Sequence, residues 1–156
     1  MGDVKGYTMT DASLSRWDNP PDDRVRSLLT ETRTIAVIGL SSNKTRPSHH
    51  VAAYMKDAGY HIIPVRSLVK TVLGEVAYND VADIPLSVDV DIVDIFRRSE
   101  EVVPIVTTAV KRTGVRAVWM QEGVINQEAA RIAQEAGVLV VMDRCILKEH
   151  VRLIGE

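Results

Sequence analysis

Five short apolar runs, at residues 34–39, 60–65, 90–96, 115–120 and 138–142, recur along the chain with stretches of polar or helical character between them. Each is too short for a helix and rich in Val and Ile, which is how a strand buried on both faces reads. A sequence that keeps returning to such runs has few ways to fold. Strands separated by helix-length connections pair in parallel, and their helices cover both faces of one open sheet.

The intervals support that reading. Pro47 and Ser48 open a helix with Val51, Met55 and Ala58 on one face and Gly59 at its C-cap. After the third run, Val103, Val106 and Val110 share a face, with Gly114 beyond the end. Pro104 lacks an N–H, so the turn over 99–102 is expected to be separate from the helix body that follows. Asn126 caps a helix to Ala136, Gly137 ends it, and a short helix over 144–153 closes the chain. Ahead of the first strand, Asp22 or Asp23 caps an entry helix carrying Val25, Leu28 and Leu29. Only residues 67–89, with Pro85 and no sustained helical face, predict an irregular crossover. The expected fold is α/β, a Rossmann-like, doubly wound, open five-stranded parallel sheet in three layers. Residues 22–156 form its single domain, and the polar residues 1–21, ending in Asp18-Asn19-Pro20-Pro21, form a flexible arm.

The totals narrow the function classes. A chain of 156 residues with 46% hydrophobic content is long enough to bury its own core without a staple. A net charge of −2 lacks the basic excess of a nucleic-acid binder, so any anion site is local. No apolar run approaches the roughly 20 residues of a membrane span. One cysteine, Cys145, and no signal-like N-terminus point to the cytoplasm.

In such a sheet, ligands bind outside the carboxyl ends of the strands where strand order reverses. The loop after the first strand, Gly39 to Arg46, feeds a helix N-terminus and carries Ser41, Ser42, Lys44 and Arg46, a setting suited to phosphate. It is equally the composition of a solvated loop. The G-x-G-x-x-G fingerprint is missing, since Ser41 stands where the second glycine belongs. Arg66 replaces the acidic residue that holds an NAD ribose, which disfavours NAD; it either meets a phosphorylated ribose, as in NADP or coenzyme A, or is simply solvated. Arg97 and Arg98 follow the third strand and fit pyrophosphate or carboxylate, but adjacent residues point in different directions, so at most one is expected to reach a ligand. Their alternative role is an ion pair with Glu100, Glu101 or Asp94. Asp94 itself interrupts an apolar strand and is expected to be a hydrogen-bonded carboxylate near the crevice. Gln121, Glu122 and Gly123 follow the fourth strand, and Asp143, Arg144 and Cys145 the fifth. His49, His50, His61 and His150 show no ligand spacing, so no metal is expected, and no serine has a base placed beside it by a known pattern.

At these loops the chain resembles the bacterial and archaeal family of small coenzyme A-binding proteins, and is similar to the nucleotide-binding domain of the succinyl-coenzyme A synthetase alpha subunit. The resemblance runs from about residue 22 to the end. It is carried by Ala36-Val37-Ile38-Gly39-Leu40-Ser41, Arg46-Pro47-Ser48, Val72-Leu73-Gly74-Glu75, Val93-Asp94-Ile95-Phe96-Arg97-Arg98-Ser99, Val118-Trp119-Met120-Gln121 and Met142-Asp143-Arg144-Cys145. It implies coenzyme A as the ligand, with Gly39, Leu40, Ser41, Ser42, Lys44 and Arg46 near phosphates. Val65, Arg66, Phe96, Arg97, Arg98, Gln121 and Gly123 would line the crevice. The family often places Asn-Pro after the strand-two valine, where this chain has Arg66-Ser67.

The resulting expectation is a stand-alone module that binds coenzyme A or an acyl derivative without catalysis, and whose protein partner the sequence does not identify. The phosphorylated histidine of the synthetase lies in another domain, so ligase chemistry is not expected of this chain. The alternatives are an NADP-dependent oxidoreductase and a subunit that keeps the fold and acts through a protein interface. Cys145, past the end of the fifth strand, reads first as a buried small apolar residue, with a mixed disulfide to coenzyme A as the alternative.

Overall fold

The computed structural model describes residues 17–155. In chain order the elements are α1 (Asp22–Glu31), β1 (Thr34–Ile38), α2 (Pro47–Asp57), β2 (His61–Val65), β3 (Thr71–Val72), β4 (Glu75–Val76), β5 (Ile92–Ile95), α3 (Val102–Val110), β6 (Ala117–Met120), α4 (Gln127–Glu135), β7 (Leu139–Val141) and α5 (Ile146–Leu153). Five strands form one parallel sheet in the order β2-β1-β5-β6-β7, and β3 and β4 form a separate antiparallel hairpin. The chain steps outward from β1 to β2 and then returns to the other side of β1 at β5. Strand order therefore reverses between β1 and β5, which opens the ligand crevice at their carboxyl ends.

Alternation along each strand divides the core. Ala36, Ile38, Val93, Ile95, Val118 and Met120 face α3 and α4, where Val106, Ala109, Ala130 and Ala133 meet them. Ile35, Val37, Ile92, Ala117 and Trp119 face α1, α2 and α5. All five sheet strands are essentially buried on both sides, as their near-continuous apolar runs require.

The expected separation before α3 is present: a 3₁₀ turn over Ser99–Glu101 precedes the α-helix, placing Pro104 in its first turn, where the missing N–H has no intrahelical use. Asn126 caps α4 by accepting from the Ala129 N–H at 2.9 Å. The α1 cap differs from expectation. Pro21 occupies the N-cap without a side-chain bond, and Asp22 instead holds Arg152 of α5 through both carboxylate oxygens, at 2.9 and 2.8 Å. A bidentate partner across the layer outcompetes a local cap.

The irregular crossover consists of the β3–β4 hairpin and a 3₁₀ turn, Val81–Asp83, whose Val81 lies with Ile84 over the α3 face of the core. Arg112 at the end of α3 donates to the carbonyls of Ile84 and Val88, both at 2.8 Å, and of Pro85, supplying the bonds a helix would have made for itself. Of the expected arm, residues 1–16 lie outside the described residues. At its end Asn19 pairs with the Met142 backbone in both directions, at 2.7 and 2.9 Å, on the outer edge of the sheet.

One loop residue carries a cost without a packing return. Leu68 is 98% exposed and has φ +66°. A left-handed conformation costs a β-carbon about 1–2 kcal/mol, and glycine regains part of this in unfolded-chain entropy. Leu68→Gly is therefore expected to raise stability by about 0.5–1 kcal/mol in urea unfolding; an unchanged or lower midpoint would show that the turn carries no such strain.

Candidate functional site

Gly39 ends β1 at the reversal point with φ +86°, and the position a β-carbon would take lies 2.5 Å from the Phe96 carbonyl oxygen and 3.0 Å from Arg97 Cδ. Only a residue without a side chain lets the loops after β1 and β5 come together here. Beside this contact opens a cleft of about 560 Å³ lined by Gly39, Arg46, Arg66, Ser67, Phe96, Arg97, Arg98 and Glu101. Four guanidinium groups and one carboxylate face one space.

Each arginine arrives by a different route. Arg46 is the N-cap residue of α2. Arg66 follows β2 and reaches back to the Gly39 carbonyl at 3.3 Å, crossing the mouth between β2 and β1. Arg97 and Arg98 follow β5, and Glu101 at the end of the 3₁₀ turn grips both: Arg97 Nε donates to Oε1 and Arg98 Nη2 to Oε2, each at 2.8 Å. The Arg98 and Arg97 guanidinium groups hold the Glu101 carboxyl below the usual carboxylate range. The alternative weighed for the arginine pair, an ion pair with a neighbouring glutamate, is thus present in the cleft itself.

A second, narrower pocket of about 140 Å³ adjoins the cleft and shares Arg66 and Arg97 with it. Its walls are Ile38, Val65, Val81, Pro104 and Ile105, with Asn79, Asp80 and Thr108 among them. Asp80 accepts from the Ala82 N–H through one oxygen, at 3.1 Å. Cationic space thus lies on one side of the Arg66–Arg97 pair, and a narrower space with both apolar and polar walls lies on the other.

Of the residues singled out from sequence, the cleft brings together Gly39, Arg46, Arg66, Phe96, Arg97 and Arg98, and Val65 lines the adjoining pocket. The others do not line either space. Leu40 is fully buried, and Ser41 is buried with its N–H bound to Ser48 Oγ at 3.0 Å. Ser41 Oγ accepts from Asn43 N–H, and Asn43 Oδ1 accepts from Thr45 N–H, both at 3.0 Å. These bonds engage several of the donors that a backbone phosphate cradle would use, and Ser42 and Lys44 stand exposed on the outer side of the loop. Gln121 is buried with its Oε1 accepting from Ile146 N–H at 3.1 Å, a role in fixing the start of α5. Gly123 is held to Asp143 through its N–H at 2.7 Å. Cys145 is buried at the N-cap of α5, within the core cluster on that face.

Asp94 departs from expectation. It is 1% exposed between Val37 and Trp119 in the middle of the sheet, and its Oδ1 has no hydrogen-bond partner. Burial pushes its carboxyl well above the usual carboxylate range. It is a core group, not a satisfied crevice carboxylate, because inward strand alternation places it among apolar side chains. The sequence reading missed Ser67, Asn79, Asp80, Pro104, Ile105 and Thr108 as lining residues. They converge only when the irregular crossover folds against α3, and no local spacing signals that.

Residues 33–151 match the family model described as a CoA binding domain. The uncharacterized protein YneT of Bacillus subtilis is 39% identical over 132 residues, covering 85% of this chain and 96% of that protein. A solved structure of a hypothetical protein from Pyrococcus horikoshii superposes with a TM-score of 0.82 at 35% identity, covering 87% of this chain and 94% of its own. A Thermus thermophilus structure gives 0.77 at 33% identity, covering 86% and 99%.

Proposed function

The chain belongs to the family of CoA-binding domains, and from that membership we infer that it binds coenzyme A or an acyl derivative in the arginine cleft, as a module without catalysis of its own. The observation that carries this reading is the meeting of Arg46, Arg66, Arg97 and Arg98 at the strand-order reversal. The 3'-phosphate and pyrophosphate of coenzyme A are the anions such forks bind best. The adjoining pocket suits the adenine ring: Ile38, Val65 and Ile105 offer apolar walls, and Asn79 and Asp80 offer groups that pair with its polar edge. The pantetheine arm would then leave along the cleft toward solvent, available to a partner protein.

Absence of catalysis is argued from the groups present. The cleft holds arginines and a carboxylate tied up by two of them, an arrangement that binds and neutralises charge but offers no poised base or nucleophile. Cys145, buried in the core on the α5 side, is not aligned with the cleft, so a mixed disulfide with coenzyme A would need that loop to open. A single unpaired thiol suits a reducing compartment such as the cytoplasm.

Thermal unfolding with coenzyme A, dephospho-coenzyme A, NADPH and NADH tests the reading. Coenzyme A at a hundredfold excess over its Kd is expected to add about 2.7 kcal/mol, with a smaller effect for dephospho-coenzyme A. A shift with NADPH alone would make the cleft a redox-cofactor site, and no shift with any nucleotide would remove the ligand-binding function.

A further inference from the structure

The carboxylate of Glu101 sits where an anion bridging two arginines would sit. It accepts from Arg97 with one oxygen and from Arg98 with the other, both at 2.8 Å, and it lines the same cleft as those arginines. Its neighbour Glu100 provides a contrast: at 3.9 Å from Arg98 Nε and 71% exposed, it does not line the cleft. Among the described residues, no other that lines the cleft carries negative charge. Glu101 ends the 3₁₀ turn that separates β5 from α3, which brings its backbone beside the two arginines that follow β5.

We propose that Glu101 is a built-in competing anion, which occupies the Arg97–Arg98 site in the free protein and must be displaced by a phosphate group of the ligand. The inference rests on the anion-binding reading of the cleft and adds a specificity element to it. A monoanion that meets only one arginine gains little by evicting a carboxylate that already satisfies two. A ligand carrying several phosphate charges recovers the lost pairs through Arg46 and Arg66 as well. Glu101 therefore weakens binding of every anion, and screens against weakly charged ones more than against coenzyme A. The opposite role is positioning, in which Glu101 holds the two guanidinium groups ready and its loss weakens binding.

Calorimetric titration of the full chain with coenzyme A and, separately, with inorganic pyrophosphate separates these roles. Glu101→Gln is expected to bind both probes about threefold to thirtyfold more tightly, the fold-change equivalent of two partly exposed ion pairs no longer opposing the ligand. Glu100→Gln, with the same change in net charge, is expected to stay within about twofold of the wild type. Unchanged or weaker binding by Glu101→Gln, in protein whose unfolding midpoint matches the wild type, overturns the proposal. So does equal tightening by Glu100→Gln, which would make the effect one of overall charge. If coenzyme A fails to bind the wild type while pyrophosphate binds, and binds Glu101→Gln more tightly, the competing anion stands and the coenzyme A reading falls. If neither probe binds either protein, both fall.

Discussion

Replacing Gly39 with alanine is expected to destabilise the protein by about 2–5 kcal/mol and to lower coenzyme A affinity by at least about tenfold. Two costs combine. The residue has φ +86°, a conformation that costs a β-carbon about 1–2 kcal/mol. The new atom would also stand 2.5 Å from the Phe96 carbonyl oxygen, which is backbone and cannot swing aside. Forcing apart two packed loops adds roughly 1–3 kcal/mol. Relief can come only from moving the β5 end away from β1, and that movement carries Phe96 and Arg97 out of the cleft. Stability and binding should therefore fail together. Urea unfolding and titration calorimetry on the same preparation check this. A variant within about 1 kcal/mol of the wild type would mean that the crevice base is slack, and its role in closing the site would be lost.

Asp94→Asn is expected to do the reverse, raising stability near neutral pH by on the order of 2 kcal/mol, or roughly 4–8 °C in Tm for a chain of this length. The carboxyl is buried among Val37, Trp119 and the surrounding core, and Oδ1 is unbonded. Its folded pKa is raised by burial, so the folded state holds this proton at pH values where the unfolded chain has released it. Below the unfolded value near 3.8 the group costs nothing through ionisation. As pH rises from there, stability is lost until the folded pKa is passed. The asparagine does not titrate. The two proteins should converge near pH 4 and separate as pH rises above it, until the folded pKa of Asp94 is passed. Parallel curves across that range would show that an unseen partner already satisfies Asp94.

His150 slopes the opposite way. Burial lowers its pKa, so it favours the folded state when neutral and withdraws that contribution as pH falls below the ordinary histidine value. It accepts this constraint through a 3.0 Å bond between its Nδ1 and the Tyr54 hydroxyl and edge-on contacts with the Tyr54 and Tyr60 rings. A pH profile therefore needs the Asp94 variant beside the wild type to separate the two slopes.

Much of this protein was written locally. The five apolar runs specified a parallel sheet, because a strand covered on both faces tolerates almost no polar residue. Gly59 and Gly137, with the Asn126 cap, fixed where helices stop and start, because those positions depend on φ and on one side-chain oxygen reaching a nearby N–H. Arg66 and one of Arg97 and Arg98 could be placed at the crevice because they follow strand ends beside the reversal, whereas the folded loop brings both members of that pair to it. The tertiary structure decided what local pattern does not encode. It engaged several donors of the Gly39–Arg46 loop with the side chains of Ser41, Asn43 and Ser48, and brought four guanidinium groups to the cleft beside it. It folded the irregular crossover against α3 to make the adjoining pocket, a convergence of residues far apart in the chain. It buried Asp94 rather than satisfying it, because the register of three strands leaves no donor opposite that oxygen. And it set Glu101 between two arginines at the rim of the cleft, so that two partly exposed ion pairs of local spacing share one carboxylate that lines the same space.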